Sequence, residues 1–471
     1  MGKAKPSLIF FYVIINSREM SRLTIIGGGL AGSEAAYQAA CLGVDVTLYE
    51  MRPLRLTPAH KTGLLGELVC SNSLRSDLAD TAHGLLKAEL TLANSLIMEA
   101  ARATAIPAGS ALAVNREEFA TYITNRLKAH PHIRIVTEEV TALPAPPAII
   151  ATGPLTSDAL AAAISKVTGD NSLYFYDAIA PIIDADSIDY DLVYYSSRYG
   201  KGGDDYLNCP MDEPTYNRFY DALTEADSIA ARDFEDVKVF EGCMPIEVMA
   251  LRGKDTLRFG PLRPVGLPHP RTGEMMHAVV QLRAENAQRS AFNMVGFQTR
   301  LRQSQQQRVF RLIPGLQNAE FLRYGSIHRN TFINSPLYLD KSLRLRCGCT
   351  TGSTSAKRSS QVEGDIYVAG QLTGVEGYLE STAMGLLAGI FAARQMLGLP
   401  HVDPPADTAC GALLAYITNI DRGASFQPSN INFGLLPPLD KHIRDRNQKK
   451  QALVARALQS WRGFQRLNDN G

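Results

Sequence analysis

An apolar run, Leu23-Thr24-Ile25-Ile26, enters the glycine turn Gly27-Gly28-Gly29-Leu30-Ala31-Gly32, and a helix-forming stretch follows through Glu34-Ala35-Ala36-Tyr37-Gln38-Ala39-Ala40. This strand–turn–helix order constrains the fold more than any other feature of the chain. Gly27, Gly29 and Gly32 satisfy the G-x-G-x-x-G spacing. In that pattern the first glycine makes the tight turn, the second lets the backbone approach a pyrophosphate, and the third lets helix pack closely on strand. The helix N-terminus offers free N–H groups and the positive end of its dipole to phosphates. A second strand, 44–49, ends at Glu50, 21 residues after Gly29, where a carboxylate can hold a ribose hydroxyl. The segment is therefore expected to bind a dinucleotide through Gly27, Gly28, Gly29, Leu30, Ala31, Gly32 and Glu50, with Met51 and Arg52 beside it. The plain alternative is a glycine-rich turn in an ordinary α/β protein, and the motif by itself does not choose between FAD and NAD.

A chain of 471 residues has room for two or three domains. The net charge of +1 announces no nucleic-acid partner, so any such site must be a local basic patch. The seven cysteines are odd in number and sparsely spaced, which fits reduced thiols in a cytosolic protein. Cys347 and Cys349 are too close for an ordinary disulfide and lack a second pair for zinc. Near the N-terminus, Lys3 and Lys5 precede the apolar run Leu8–Ile15. That run is too short to span a bilayer, and no cleavage pattern follows it. Met20 is expected to be the natural start, with 1–19 an extension, and no stretch of the chain approaches membrane-spanning length.

Apolar residues recur at helical spacing through 77–104, which core packing explains. After Pro144-Ala145-Pro146-Pro147 comes the short apolar strand Ala148-Ile149-Ile150-Ala151-Thr152-Gly153. It is similar to the return strand of two-dinucleotide-fold flavoproteins, in which Gly153 would pass close to FAD. A second such segment, Asp365–Gln371, runs into Leu372-Thr373-Gly374-Val375-Glu376-Gly377-Tyr378 and a helix rich in small residues. Here Gly370, Gln371, Gly374, Val375, Glu376 and Gly377 are expected to contact the cofactor. Two separated dinucleotide segments with no second glycine fingerprint favour FAD, a nicotinamide docking only transiently. The expected architecture is α/β: an FAD-binding Rossmann-like domain of glutathione-reductase type with an inserted α/β domain. Its parts are 20–183 and 324–440 for the FAD domain, 184–323 for the insertion, and 441–471 for a basic C-terminal helix. Lys441–Arg466 holds eight Lys/Arg against Asp445 alone. Such a helix either packs on the body by its apolar face or turns its basic face to RNA.

Two cysteines have unusual surroundings. Cys70 lies in Glu67-Leu68-Val69-Cys70-Ser71-Asn72-Ser73, and Cys243 in Phe240-Glu241-Gly242-Cys243-Met244-Pro245-Ile246. The second pattern reads as a strand, then Gly-Cys, then a helix start at Pro245. A thiol at a helix N-terminus becomes a better nucleophile. The alternative for both is a small buried apolar residue.

The chain closely resembles the folate- and FAD-dependent tRNA (uracil-5-)-methyltransferase (TrmFO) family from about Arg22 to Leu439. The segments that carry the likeness include GGGLAGSEAA, YEMRP, ELVCSNSLRS, FEGCMPIEVMA, LRFGPLRPVGL, VGFQTRL, RVFRLIPGL, HRNTFINSP and GQLTGVEGYLES. Most are unrelated to general FAD binding. The chain departs from the pattern in its N-terminal extension and around Cys347–Val362, where it looks enlarged. The resemblance implies 5-methyluridine formation at position 54 of the tRNA T-loop. The carbon would come from 5,10-methylenetetrahydrofolate, and NADH or NADPH would supply reduction through FAD. It implies Cys243 as the thiol that attacks uracil C6, Cys70 as a second active-site thiol, and Tyr378 stacking near the isoalloxazine. Arg252, Lys254, Arg258, Arg263 and Arg271 would be phosphate contacts, and the target base would be flipped out to reach the site. A cytoplasmic monomer without membrane attachment is expected. The competing readings are an MnmG-like wobble-uridine enzyme, a flavin-binding RNA module without catalysis, and a simple NAD(P)H–flavin oxidoreductase.

Overall fold

The computed structural model describes residues 22–168, 173–200, 203–228, 244–346, 364–441 and 443–469. Cys243, Cys347, Cys349, the 1–19 extension with Met20, and 347–362 lie outside the described residues. The first sheet has five parallel strands in the order Ile366–Val368, Ala148–Ile150, Leu23–Ile26, Val46–Glu50 and Ile133–Thr137. Ala148–Ile150 and Ile366–Val368 are fully buried apolar runs, as strands covered on both faces are, whereas the edge strand Ile133–Thr137 is partly exposed. The order in which strands are added reverses between Leu23–Ile26 and Ala148–Ile150, and the crevice at the carboxyl ends of those parallel strands is where ligands bind in this topology.

The helix Leu30–Cys41 covers one face, and Tyr378–Met396 lies directly on it. The two approach so closely because their facing residues are small. A Cβ on Gly385 would stand 2.2 Å from the Ala31 carbonyl oxygen, and one on Gly389 2.5 Å from that of Ala35. The same core extends to Trp461 of the C-terminal helix Arg446–Asp469. Leu453, Ala457, Trp461 and Phe464 of that helix are buried, and the Trp461 indole N–H donates to the Glu89 carbonyl at 2.8 Å. Packing on the body thus accounts for its apolar face.

The helical spacing at 77–104 resolves into two helices, Ala82–Leu92 and Leu96–Ala103, rather than one. Asn94 breaks the run in the left-handed region at φ 53°, which asparagine tolerates better than most residues. Ser95 then caps the second helix by accepting from the Met98 N–H.

A second, six-stranded antiparallel sheet is ordered Tyr194–Tyr195, Tyr206–Met211, Ala278–Ala284, Ala291–Met294, Ile182–Asp184 and Phe321–Arg323. It has its own core around Phe219, Phe292, Phe297 and Phe310. The outgoing strand Leu173–Ile179 and the returning strand Ser326–Phe332 pair antiparallel beside it.

Two buried glutamates cap helices from other elements. Glu34 accepts from the Ser95 hydroxyl and the Ile97 N–H, and Glu89 from the N–H groups of Ala409 and Cys410. Burial raises each carboxyl from 4.5 to about 7, against the lowering effect of those hydrogen bonds.

Two outcomes follow from this packing. Gly385→Val forces the two helices apart and lowers the unfolding free energy in urea by about 2 kcal/mol or more, whereas the exposed Gly463→Ala does not. A carboxyl that holds its proton more tightly when folded stabilises the fold fully below about pH 4.5, and that contribution is lost as pH rises through about 7. Glu34→Gln therefore shows a smaller loss of stability than the parent between pH 5 and 7.5, by on the order of 1–3 kcal/mol in urea titrations.

Candidate active site

Two adjoining cavities meet at Val69, Pro154, Leu155, Gln371 and Tyr378. The first, about 990 Å³, runs along the crevice past Gly27, Gly29, Leu30, Ala31, Glu50, Met51, Arg52 and Gly153. Gly27 adopts φ +100°, and a Cβ there would stand 2.6 Å from the Ala151 carbonyl oxygen. A Cβ on Gly32 would stand 1.8 Å from the Gly27 carbonyl oxygen, so the helix sits on the turn as closely as backbone allows. The Cβ position of Gly29 faces open space. Gly29 caps its helix without any side-chain hydrogen bond, so the first-turn N–H groups stay available. A second helix, starting after Gly377 at φ +116°, is likewise without a side-chain cap. Open backbone and two uncapped helix N-termini fit the pyrophosphate of a dinucleotide.

The structure distributes the expected cofactor residues unevenly. Glu50 is buried, and its oxygens accept from the Gly28 N–H at 2.8 Å, the Arg52 N–H at 3.0 Å, and the Arg52 guanidinium at 2.9 and 3.0 Å. Burial alone would raise this carboxyl; Arg52 outweighs it and holds the group below its ordinary value. The carboxylate thus fixes the glycine turn from behind as well as lining the groove. Gly28 and Gly32 serve this packing, and Gly370 serves the approach to Ala31. Gly374 and Val375 are buried beside the cavities without lining either, whereas Glu376 and Gly377 line the second. Thr152, Thr156 and Glu139 line the groove and were not singled out by the sequence reading.

The second cavity, about 1390 Å³, holds Cys70. The segment carrying it is fixed from four directions. Arg116 donates to the carbonyls of Leu68 and Cys70, and Arg323 to those of Val69 and Cys70. Arg283 bonds Asn72 Oδ1 and Ser71 Oγ, and the Asn72 amide donates to the Val114 and Ala284 carbonyls. The Tyr378 hydroxyl accepts from the N–H groups of Cys70 at 2.8 Å and Ser71 at 3.1 Å. Glu285 compensates Arg116 in an ion pair. Burial and the neighbouring Arg116 pull the Arg323 guanidinium down to about 10, and burial pushes the Tyr378 hydroxyl well up. Tyr378 therefore positions Cys70 by its oxygen while its ring borders both cavities.

The described chain resumes at Met244, one residue after Cys243, and Met244 is buried. The Ile246 N–H donates to the carbonyl of Gln298, a lining residue. Pro245 caps the helix Ile246–Leu251 that follows. Beyond it, Arg252, Lys254, Arg263 and Arg271 are exposed, while Arg258 is held by the His277 carbonyl and Asp255. Among the described residues no cluster of His, Cys, Asp or Glu could hold a metal ion.

The sequence profile of the family described as Glucose inhibited division protein A matches residues 22–400. The chain is 54% identical over 452 residues to "Methylenetetrahydrofolate--tRNA-(uracil-5-)-methyltransferase TrmFO" of Moorella thermoacetica, covering 95% of this chain and 99% of that one. It is 56% identical over 438 residues to the protein of the same name from Geobacter sulfurreducens, covering 93% and 97%. Among solved structures it is similar to Aquifex aeolicus GidA in two crystal forms, with TM-scores of 0.60 and 0.63 at 15% identity. These cover 94% of this chain and 77% and 76% of that one.

Removing the acceptor that Tyr378 offers to two N–H groups is expected to loosen the cysteine segment. Tyr378→Phe lowers unfolding free energy by on the order of 1–2 kcal/mol in urea titration, with the ring and its contacts retained.

Proposed function

We infer the activity of this chain from the family to which it belongs, the TrmFO methylenetetrahydrofolate–tRNA-(uracil-5-)-methyltransferases within the Glucose inhibited division protein A family: it methylates C5 of a tRNA uracil. We further propose that the target is the T-loop uridine at position 54, that NADH or NADPH is the reductant, and that the enzyme works in the cytoplasm. The observation that carries the reading is the half-buried Cys70, clamped where the dinucleotide groove opens into a cavity walled by the second sheet.

The methylene unit of the folate is at the oxidation level of formaldehyde. A methyl product therefore needs two electrons and a proton, and the uracil gives up its C5 proton. FAD, when bound along Gly27–Gly32 and against the Gly377 helix start, supplies the route by which nicotinamide electrons reach the one-carbon unit. The protein's part is to make C5 nucleophilic. We assign that to the Cys243 thiolate: its sulfur bonds C6, and the C5–C6 π pair becomes an enolate that attacks the one-carbon electrophile. Cys70 then takes the C5 proton, the C–N bond between the one-carbon unit and its carrier amine breaks with its electron pair going to nitrogen, and a hydride equivalent drawn from the nicotinamide adds to the exocyclic methylene as the S–C6 bond breaks, which restores the ring and releases the Cys243 thiolate. Tyr378 and the arginine carbonyl contacts keep Cys70 in place without blocking the cavity. The exposed Arg252, Lys254, Arg263 and Arg271 suit RNA phosphates. No helix among the described residues is long and apolar enough to cross a membrane.

The test is mass spectrometry of a tRNA T-arm hairpin after incubation with enzyme, NADPH and isotopically labelled methylenetetrahydrofolate. A labelled methyl on the T-loop uridine is expected, reduced by several orders of magnitude in Cys243→Ala and in Cys70→Ala at unchanged flavin content. With full-length tRNA, label at the wobble uridine alone would overturn the T-loop assignment. Full activity in Cys243→Ala would overturn the nucleophile.

A further inference from the structure

Buried amide donors in folded proteins almost always have partners, and one left without costs about 1–3 kcal/mol. Asn293 and Asn330 are each 3% exposed, and the Nδ2 of each is buried with no hydrogen-bond partner. Both line the cavity that holds Cys70. They come from different elements. Asn293 is on Ala291–Met294 in the second sheet, opposite Arg283, and Asn330 is on the returning strand Ser326–Phe332. Two charged groups of the same wall are already engaged. Arg283 is bound to Asn72 and Ser71, and Glu380 accepts from the Ile431 N–H. Two orphaned donors in one cavity call for a ligand that presents acceptors.

We propose that Asn293 and Asn330 are the base-reading residues of the site, donating through Nδ2 to the ring carbonyls O2 and O4 of the target uracil. The assignment rests on the methyl-transfer reading above. Uracil presents a carbonyl on each side of its N3–H. Cytosine replaces the C4 carbonyl by an amino donor, which meets an amide donor head-on, so the donor at O4 distinguishes the two bases, while the donor at O2, a carbonyl both bases carry, holds the ring. A pterin and an isoalloxazine also carry ring carbonyls. The uracil is favoured because these strands wall the cysteine cavity, whereas the groove suited to a dinucleotide runs along the opposite helix N-terminus.

The test uses the flavin-loaded full chain and T-arm hairpins with U or C at the target position, with binding read by fluorescence anisotropy. The parent binds the U hairpin more tightly. Of Asn293→Leu and Asn330→Leu, the one that removes the O4 donor reduces the U-over-C preference roughly three- to tenfold, the loss of one hydrogen bond, and the one that removes the O2 donor weakens binding of both hairpins by a similar factor. Because the leucine replaces an unpaired donor with an apolar group of similar shape, Tm stays level or rises; a packing role would lower it. Asn→Ala at the same positions gives the same loss of preference if leucine crowds the cavity. An unchanged preference in all four variants overturns the proposal. So does a raised KM for methylenetetrahydrofolate, or a shifted flavin spectrum, at unchanged U-over-C preference. A parent that prefers the U hairpin yet never labels it defeats the methyl-transfer reading and leaves the amide assignment standing. Efficient labelling with unchanged preference in the variants does the reverse.

Discussion

The cofactor crevice depends on how closely two helices can approach. Leu30–Cys41 brings the first glycine turn, and Tyr378–Met396 brings Tyr378 and the second helix N-terminus. Their contact is made by Gly385 and Gly389 against the backbone of Ala31 and Ala35. Dispersion falls off steeply with distance, so side chains of ordinary size here would weaken the contact and widen the crevice together. The groove, the Tyr378 hydroxyl and the Cys70 segment it holds are placed in register by that contact.

The cysteine segment illustrates a different economy of design. Its backbone is neither helix nor central strand, and its carbonyls would be unsatisfied without Arg116 and Arg323. Buried guanidiniums are costly to desolvate, and Glu285 offsets part of that cost. The result is an irregular loop held as firmly as regular structure, with its thiol facing a cavity. Rigid support of this kind suits a group that must meet a flat ring at a fixed angle.

The glycine turn was legible in the sequence because its spacing is local: Gly32 packs on the Gly27 carbonyl five residues back, even though the backbone that crowds Gly27 comes from distant Ala151. The parallel sheet followed from short apolar runs with the glycine turn at the end of the first. The fold class and the family were legible too. Asn94 was not, because nothing in the apolar spacing of 77–104 shows a left-handed break inside it. Glu50 was read as a ligand group, and its structural work for Gly28 depends on Arg52 two residues on. The supports of Cys70 were out of reach, since Arg323 lies 253 residues away. Asn330 sits inside HRNTFINSP, a segment that marked the family without assigning the residue a task, and only the cavity shows that its amide lacks a partner.

The contact between Ala31 and Gly385 spans 385 − 31 = 354 residues of chain. At roughly 5–20 residues per second of synthesis, a nascent chain waits roughly 20–70 s between the two. During that interval Leu23–Ile26 and its helix have neither the Ile366–Val368 edge of their sheet nor the helix that covers them. The second sheet, contiguous over 182–323, has all its strands on the ribosome first. Vectorial synthesis therefore makes the module that appears later in the sequence the earlier one to close, and leaves the cofactor crevice among the last features to form.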